Sequence, residues 1–248
     1  MLRFFDARCF VGPRGIVPPG AAASTAEVLE ILSRCGISSA VCCHSVSVEG
    51  DPMAGNTLLE TELKDAPRLA RQWVAVPDCL GDFPAPDALP AQMKAAGVTS
   101  LRLLPGRLFH SLRPYTMAPL MHVLAACHVP VFLDLAQTNW EQLCDFCRDF
   151  PENPIVLTEP GYRGIRYMDP MLEACPNLLI GTSNLVAYRA LERLCRKHGA
   201  GRFLFESGTP RHSAASSVSN ILYAELSTEE KALIAGENLR RLLEEVAL

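Results

Sequence analysis

The sequence predicts an α/β fold, a single (β/α)8 TIM barrel spanning residues 1–248. Three observations predict it: eight short apolar runs, helix-like amphipathic runs between them, and a spacing of ~30 residues per pair along 248 residues. With 49% hydrophobic and 20% charged residues, the chain can bury one large core. An open doubly wound sheet would leave two edge strands, and none of the eight runs is blunted by charge or proline.

The elements follow in chain order. The first apolar run is LRFFDA (2–7), followed by STAEVLEILSRCG (24–36), which opens on a capping serine and closes on glycine. SSAVCCHSV (38–46) is the second strand; adjacent Cys42 and Cys43 on a strand point to opposite faces and cannot chelate together. QWVAVP (72–77) is the third, returned by APDALPAQMKAAG (85–97). VTSLRLL (98–104) and YTMAPLMHVLAACH (115–128) form the fourth unit, VPVFLDL (129–135) and NWEQLCDFCRDF (139–150) the fifth. PIVLTE (154–159), NLLIG (177–181) with the helix NLVAYRALERLCRKHG (184–199), and RFLFES (202–207) complete the eight strands.

Composition excludes several classes of function. A net charge of −4 with interleaved signs gives no basic surface for nucleic acid. No run of 18 apolar residues offers a membrane span, and MLRFFDARCF has too short an apolar run and too early an acid for a secretion signal, so a cytoplasmic protein is expected. Ten cysteines are then expected as reduced thiols. The one Cys-x-x-Cys, Cys144 to Cys147, has no second pair at zinc spacing and reads as helix packing rather than a metal or redox motif.

In a barrel of this kind the site lies where the strands end. Those ends carry Asp6, Arg8 and Phe10; His44; Pro77 and Asp78; Arg102; Asp134; Glu159; Gly181 and Ser183; and Glu206, Ser207 and Gly208. Burying so many ionisable groups is costly unless they pair or bind something, and their convergence marks a candidate site. His44 is the strand-end histidine suited to proton transfer near neutral pH, with His110 and His212 in nearby loops. Arg102, Arg107, Arg113, Arg163, Arg166 and Arg211 populate the strand-end loops and suit an anionic ligand, unless Glu49, Asp51 and Glu206 neutralise them. Ser183 and Ser207 lie in no nucleophile elbow.

Taken together, FDARCFVG (5–12), GVTSLRLLP (97–105), VPVFLDLA (129–136), PIVLTEPG (154–161), CPNLLIGTS (175–183), GAGRFLFESGTP (199–210) and IAGENLRRLL (234–243) resemble the amidohydrolase superfamily, in its compact amidohydrolase-related branch. The resemblance implies a metal-dependent-hydrolase-like barrel. It also implies metal ligands on strands one, five, six and eight, at positions held here by Arg8, Phe10, Asp134, Glu159 and Gly208. All five depart from the pattern: arginine has only donors and phenylalanine no lone pair. Asp134 and Glu159 alone could hold a hard cation.

Two readings follow. In one, the protein is a metal-independent hydrolase or lyase, needing no cofactor, that acts on a small anionic carbonyl or lactone compound. Arg8 then replaces the metal as the local positive charge, paired with Asp134 or Glu159. Asp134 or Glu159 acts as base, His44 as proton shuttle, and Asp6, Arg8, Arg102, Arg163, Ser183 and Ser207 bind substrate. In the other, catalysis is lost: Arg8, Asp134 and Glu159 fill a vacated pocket as an ion-pair network, and the barrel binds a small molecule or serves as a scaffold. Apolar, cysteine-rich helices permit a homo-oligomer.

Overall fold

A computed structural model describes residues 2–15, 22 and 24–248. Its centre is one eight-stranded sheet in which sequence neighbours pair in order and in parallel. The strands are β1 (Phe4–Val11), β2 (Ile37–His44), β3 (Leu69–Ala75), β4 (Val98–Leu103), β5 (Val131–Asp134), β6 (Ile155–Thr158), β7 (Leu178–Gly181) and β8 (Phe203–Leu204). The stretch after β8 closes the barrel onto β1. Ala7 N donates to Phe205 O at 2.9 Å, Gly208 N to Arg8 O at 3.2 Å and Phe10 N to Thr209 O at 3.0 Å, with a parallel bridge between Cys9 and Thr209. The barrel is therefore nearly closed, and among the described residues no strand is left as a free edge to be protected.

Local chemistry starts and stops the helices. Ser24 and Glu27 form a reciprocal capping box before Thr25–Arg34, Asp51 caps Pro52–Glu62 with proline at its first position, and Asn139 caps Trp140–Asp149. The helix expected over 184–199 is shorter, Ala190–His198, because Asn184 (φ 54°) and Arg189 (φ 51°) both sit in the left-handed region and break it at its start. Among the described residues no helix is long and apolar enough to cross a membrane.

Buried residues divide into three layers that position the site. The largest cluster lies between strands and helices and includes Cys9, Cys42, Leu101 and Leu133. Inside the barrel, Phe5, Ala7, Val41, Phe132, Val156 and Leu204 pack against Leu239 and Leu242 of the C-terminal helix Asn238–Glu244. A smaller interior cluster of Phe10, Cys43, Val74 and Leu104 stands at the other end. Cys42 and Cys43 thus face opposite sides of β2, as strand geometry requires.

Candidate functional site

Between the two interior apolar layers runs a band of polar side chains. Gln72 on β3 donates to Ser100 on β4 (3.1 Å) and accepts from Arg102 Nε (2.9 Å) and the Cys43 thiol (3.1 Å). Arg102 Nη1 donates to Thr158 (3.1 Å) and forms a short ion pair with Asp134, which also accepts from the Thr158 hydroxyl. Each member is buried, and a satisfied chain of this kind fixes every side chain in one orientation.

Arg8 enters this band from β1 through a local irregularity. Phe5 and Ala7 face the barrel interior, and so does Phe10, so the in-out alternation slips by one residue. The register against β2 shifts between Asp6 and Cys9, and a bulge there re-aims the Arg8 side chain inward. Its guanidinium donates to Asp134 through Nε (3.3 Å) and Nη2 (3.2 Å), and to Glu159 through Nη1 (2.9 Å); Glu206 Oε1 lies 3.9 Å from Nε. Both expected partners, Asp134 and Glu159, are engaged at once. Phe10 lies under the same charge, its ring centroid 4.8 Å from the guanidinium carbon.

Two glycines make room for this arrangement. Gly208 (φ 69°) follows β8, and a Cβ there would stand 2.8 Å from the His212 ring and 3.2 Å from Arg8 Nη1. At Gly181, closing β7, a Cβ would fall 2.1 Å from Glu206 Oε2. Any larger side chain at either place would push into the ion-pair network.

The electrostatics divide the acids. Arg102 and Arg8 hold Asp134 well below the usual carboxylate range despite its burial. Burial pushes Glu206 up to about 8, overriding the pull of Arg8, and its two oxygens accept from the Glu159 backbone N–H at 3.1 and 3.2 Å. Burial likewise raises Asp6 to about 6, although Ser207 and the Arg8 N–H donate to it. Glu159, itself at φ 52°, also meets His212 Nε2 at 3.0 Å.

Above Arg8 opens a cavity of about 350 Å³ at the C-terminal mouth of the barrel. Arg8, Asp134 and Glu159 line its floor, Phe10, Val48 and Leu104 form apolar wall, and Arg14, Arg107, Arg211 and Glu49 stand around it. Among the described residues none of Arg14, Arg107 and Arg211 has a carboxylate within ion-pair distance. Arg107 donates instead to the Glu49 carbonyl (3.0 Å), and the Glu49 carboxylate accepts from Gly15 N (2.9 Å). Arg14 lies over the other side of the site, 4.6 Å from the Phe10 centroid, with its Nε buried and donating to no atom. Burial lowers its affinity for a proton, Glu49 opposes the fall, and Arg8 and Arg211 add to it.

Several residues expected in the site lie outside this cavity. His44 is buried, accepts from Val46 N through Nδ1 (3.1 Å) and meets Glu62 through Nε2 (3.2 Å), so both ring nitrogens are taken up by the two helices that follow β2, Ser45–Glu49 and Pro52–Glu62. Asp6 and Ser207 bond to each other in a buried network beneath the cavity. Ser183 is buried without lining the cavity, Arg163 lies beside Tyr162 on the surface, and Arg102 supports Asp134 from behind. Arg113 pairs with Asp145 and Asp149 away from the mouth. Arg14, Glu206 and His212 contribute more than their sequence context signalled. His212 stands four residues past Gly208, where only its loop position could have marked it.

The metal positions implied by the family resemblance do not fit a metal here. Arg8 fills the space between the carboxylates with its own charge, Phe10 presents a ring face, Gly208 supplies only room, and Asp134 and Glu159 already accept from Arg8. Among the described residues no group of three or more His, Cys, Asp or Glu is placed to hold an ion.

Fold and cavity define a parallel (β/α)8 barrel with a ligand-sized, arginine-rimmed cavity at the strand ends. Residues 46–244 match the family model described as Amidohydrolase, and the chain belongs to that family. The match begins beyond β1, which carries Arg8 and Phe10. A search of curated proteins returned no match. Among solved structures, the chain is similar to 5-carboxyvanillate decarboxylase LigW from Sphingomonas paucimobilis (TM-score 0.76, 14% identity, 98% of this chain and 99% of that one). It is also similar to 4-oxalomesaconate hydratase LigJ from Rhodopseudomonas palustris (0.68, 17%, 98% and 96%). A third is a dihydroxybenzoic acid decarboxylase from Polaromonas sp. JS666 with bound manganese and the inhibitor 2-nitroresorcinol (0.71, 13%, 98% and 97%). At these identities the likeness carries the fold alone.

Proposed function

We propose that the cavity binds a small organic acid carrying two negative charges. We further propose that the protein is a hydrolase or lyase acting, without a metal, on a carbonyl or lactone-type group of that acid. The observation that carries this reading is the charge balance of the mouth. Arg8 and Arg102 are answered by Asp134 and Glu159, whereas Arg14, Arg107 and Arg211 face the cavity with Glu49 as the one carboxylate of its lining that is not already paired with Arg8 or Arg102. Three guanidiniums and one carboxylate leave two positive charges for a ligand, and a guanidinium fork suits a carboxylate. The names of the similar structures, LigW and LigJ, also describe work on acids.

The chemistry is assigned by exposure and protonation. Asp134 is held as a carboxylate so firmly by two arginines that it is a poor base, and its part is to orient Arg8. Glu159 borders the cavity and shares His212 Nε2, so this pair moves the proton, in place of His44. Arg8, rigidly held and permanently charged, stabilises the negative charge that develops on a substrate oxygen. A second reading, binding without turnover, rests on a separate observation: Nε, Nη1 and Nη2 of Arg8 are all already engaged with carboxylates.

A panel of mono- and dicarboxylates, hydroxy acids and lactones, screened by thermal shift at low salt, tests the site. Diacids should raise the melting temperature more than monoacids, and Arg211→Ala or Arg14→Ala should weaken the best binder about tenfold, or ~1.4 kcal/mol. Silence across the panel would sink the anion site. Turnover of a hit that disappears in Glu159→Gln supports the enzyme, and binding with no turnover supports the second reading.

A further inference from the structure

Far from the barrel mouth, three thiols meet. Cys144 and Cys147 lie one turn apart on the helix Trp140–Asp149, and Cys175 follows directly on the helix Ile165–Ala174. Cys144 Sγ stands 4.0 Å from Cys175 Sγ, and all three are free thiols. They differ in access. Cys147 and Cys175 are buried, while Cys144 is partly exposed to solvent. Their protonation differs too: burial, with Cys175 beside it, pushes the Cys144 thiol up. Cys147 shares a hydrogen bond with Cys175 that holds the Cys175 thiol down to about 6, with Arg148 and Arg202 adding positive charge, and the same contact pushes Cys147 up. Arg202 is fixed there by donating to the Cys175 carbonyl at 2.7 Å.

We propose that Cys144 and Cys175 form a reversible thiol–disulfide site, with Cys144 as the entry thiol and Cys175 as the resolving thiol, oxidised by a low-molecular-weight disulfide. Cys144 thiolate attacks one sulfur of the small disulfide; a mixed disulfide forms, the original S–S bond breaks and one small thiolate leaves. Cys175 thiolate then attacks the Cys144 sulfur, forming the protein disulfide and expelling the second small thiolate. The two cysteine protons end on the two released thiols. The protein loses two electrons and the small disulfide gains them. The separation of 4.0 Å must close to the ~2.05 Å of a bond, within reach of side-chain rotation and a small helix shift. The product ties together the helices that follow β5 and β6, the strands leading to Asp134 and Glu159.

Glutathione disulfide is the probe. After titration of the full chain, free thiols are alkylated and the protein is mapped by mass spectrometry under non-reducing conditions. The expected result is a Cys144–Cys175 bond with two glutathiones released per chain; in Cys144→Ser that bond is absent and glutathione release is at least about tenfold slower, while Cys147→Ser still forms the bond. Recovery of Cys144 and Cys175 as alkylated thiols, with adducts confined to exposed Cys79, overturns the proposal. So does a Cys147–Cys175 bond that forms as fast in Cys144→Ser as the bond in the unaltered chain. Cys144 is partly exposed, so its replacement by serine leaves the core intact and the comparison interpretable.

Discussion

Arg8 brings a permanent positive charge among Asp134, Glu159 and Glu206, and two of them, Asp134 and Glu206, respond in opposite directions because their surroundings differ. Asp134, gripped by two guanidiniums, stays ionised; Glu206, fully buried and 3.9 Å from Arg8, is pushed up to about 8. The Glu206 carboxyl keeps its proton in the fold up to that pH, whereas an unfolded chain loses it near 4.5. Between the two values the fold holds one more proton than the unfolded chain, so stability falls as pH rises through this window. Asp6, raised to about 6 from 3.8, adds to the fall at its lower end, and Asp134 has the opposite sign, its contribution being lost below pH 3.8. Glu206→Gln keeps an acceptor for the Glu159 N–H and abolishes the titration. Denaturant unfolding at pH 5 and pH 9 should show the variant losing several kcal/mol less than the parent over that range, since each tenfold change in proton affinity on folding is worth about 1.4 kcal/mol. Equal losses in both proteins would mean that Glu206 is ionised throughout.

The strands and their order are legible from apolar runs alone, since parallel strands buried on both faces read as continuous hydrophobic segments. Where each side chain points is less legible. All eight residues of β1 are buried, so no polar alternation betrays the bulge that turns Arg8 inward; hydrogen bonds to Asp134 and Glu159 reveal it. His44 misleads for a related reason: it ends β2 but serves as the cap of the short helix Ser45–Glu49, a role that any strand-end acceptor can fill. Elements are also tied by side chains that sequence pattern does not flag. Asn56, buried on the helix Pro52–Glu62, accepts from Val74 N and donates to Val74 O, both at 2.9 Å, clamping that helix to β3. Asn56→Ala leaves both backbone groups without partners in the core. A cost of about 3 kcal/mol, seen as a melting temperature lower by roughly 10 °C, is expected. A shift within about 2 °C would show that the clamp is dispensable.

Across the whole barrel, one end is closed and the other is open. Phe5, Phe132 and Val156 packed on Leu239 and Leu242 seal the N-terminal end, the polar band from Gln72 to Thr158 occupies the middle, and the arginine-rimmed cavity opens where the strands stop. Membership of the amidohydrolase family and a mouth whose central cation is a side chain are compatible, because the fold supplies the positions and the residues at them supply the chemistry. The sequence makes the loss of ligand types at Arg8 and Phe10 visible. It cannot make visible that Gly208 yields its space to Arg8 and His212, since that depends on contacts across the barrel. Whether side chains alone supply the charge of the mouth is tested most directly by titration calorimetry of the tightest-binding diacid, with the protein first treated with chelator and then with manganese or zinc restored. One ligand per chain, with the same affinity in both states, is expected, because Arg14, Arg107 and Arg211 provide the charge. Binding that vanishes on chelation and returns with the metal would contradict a mouth built on arginine.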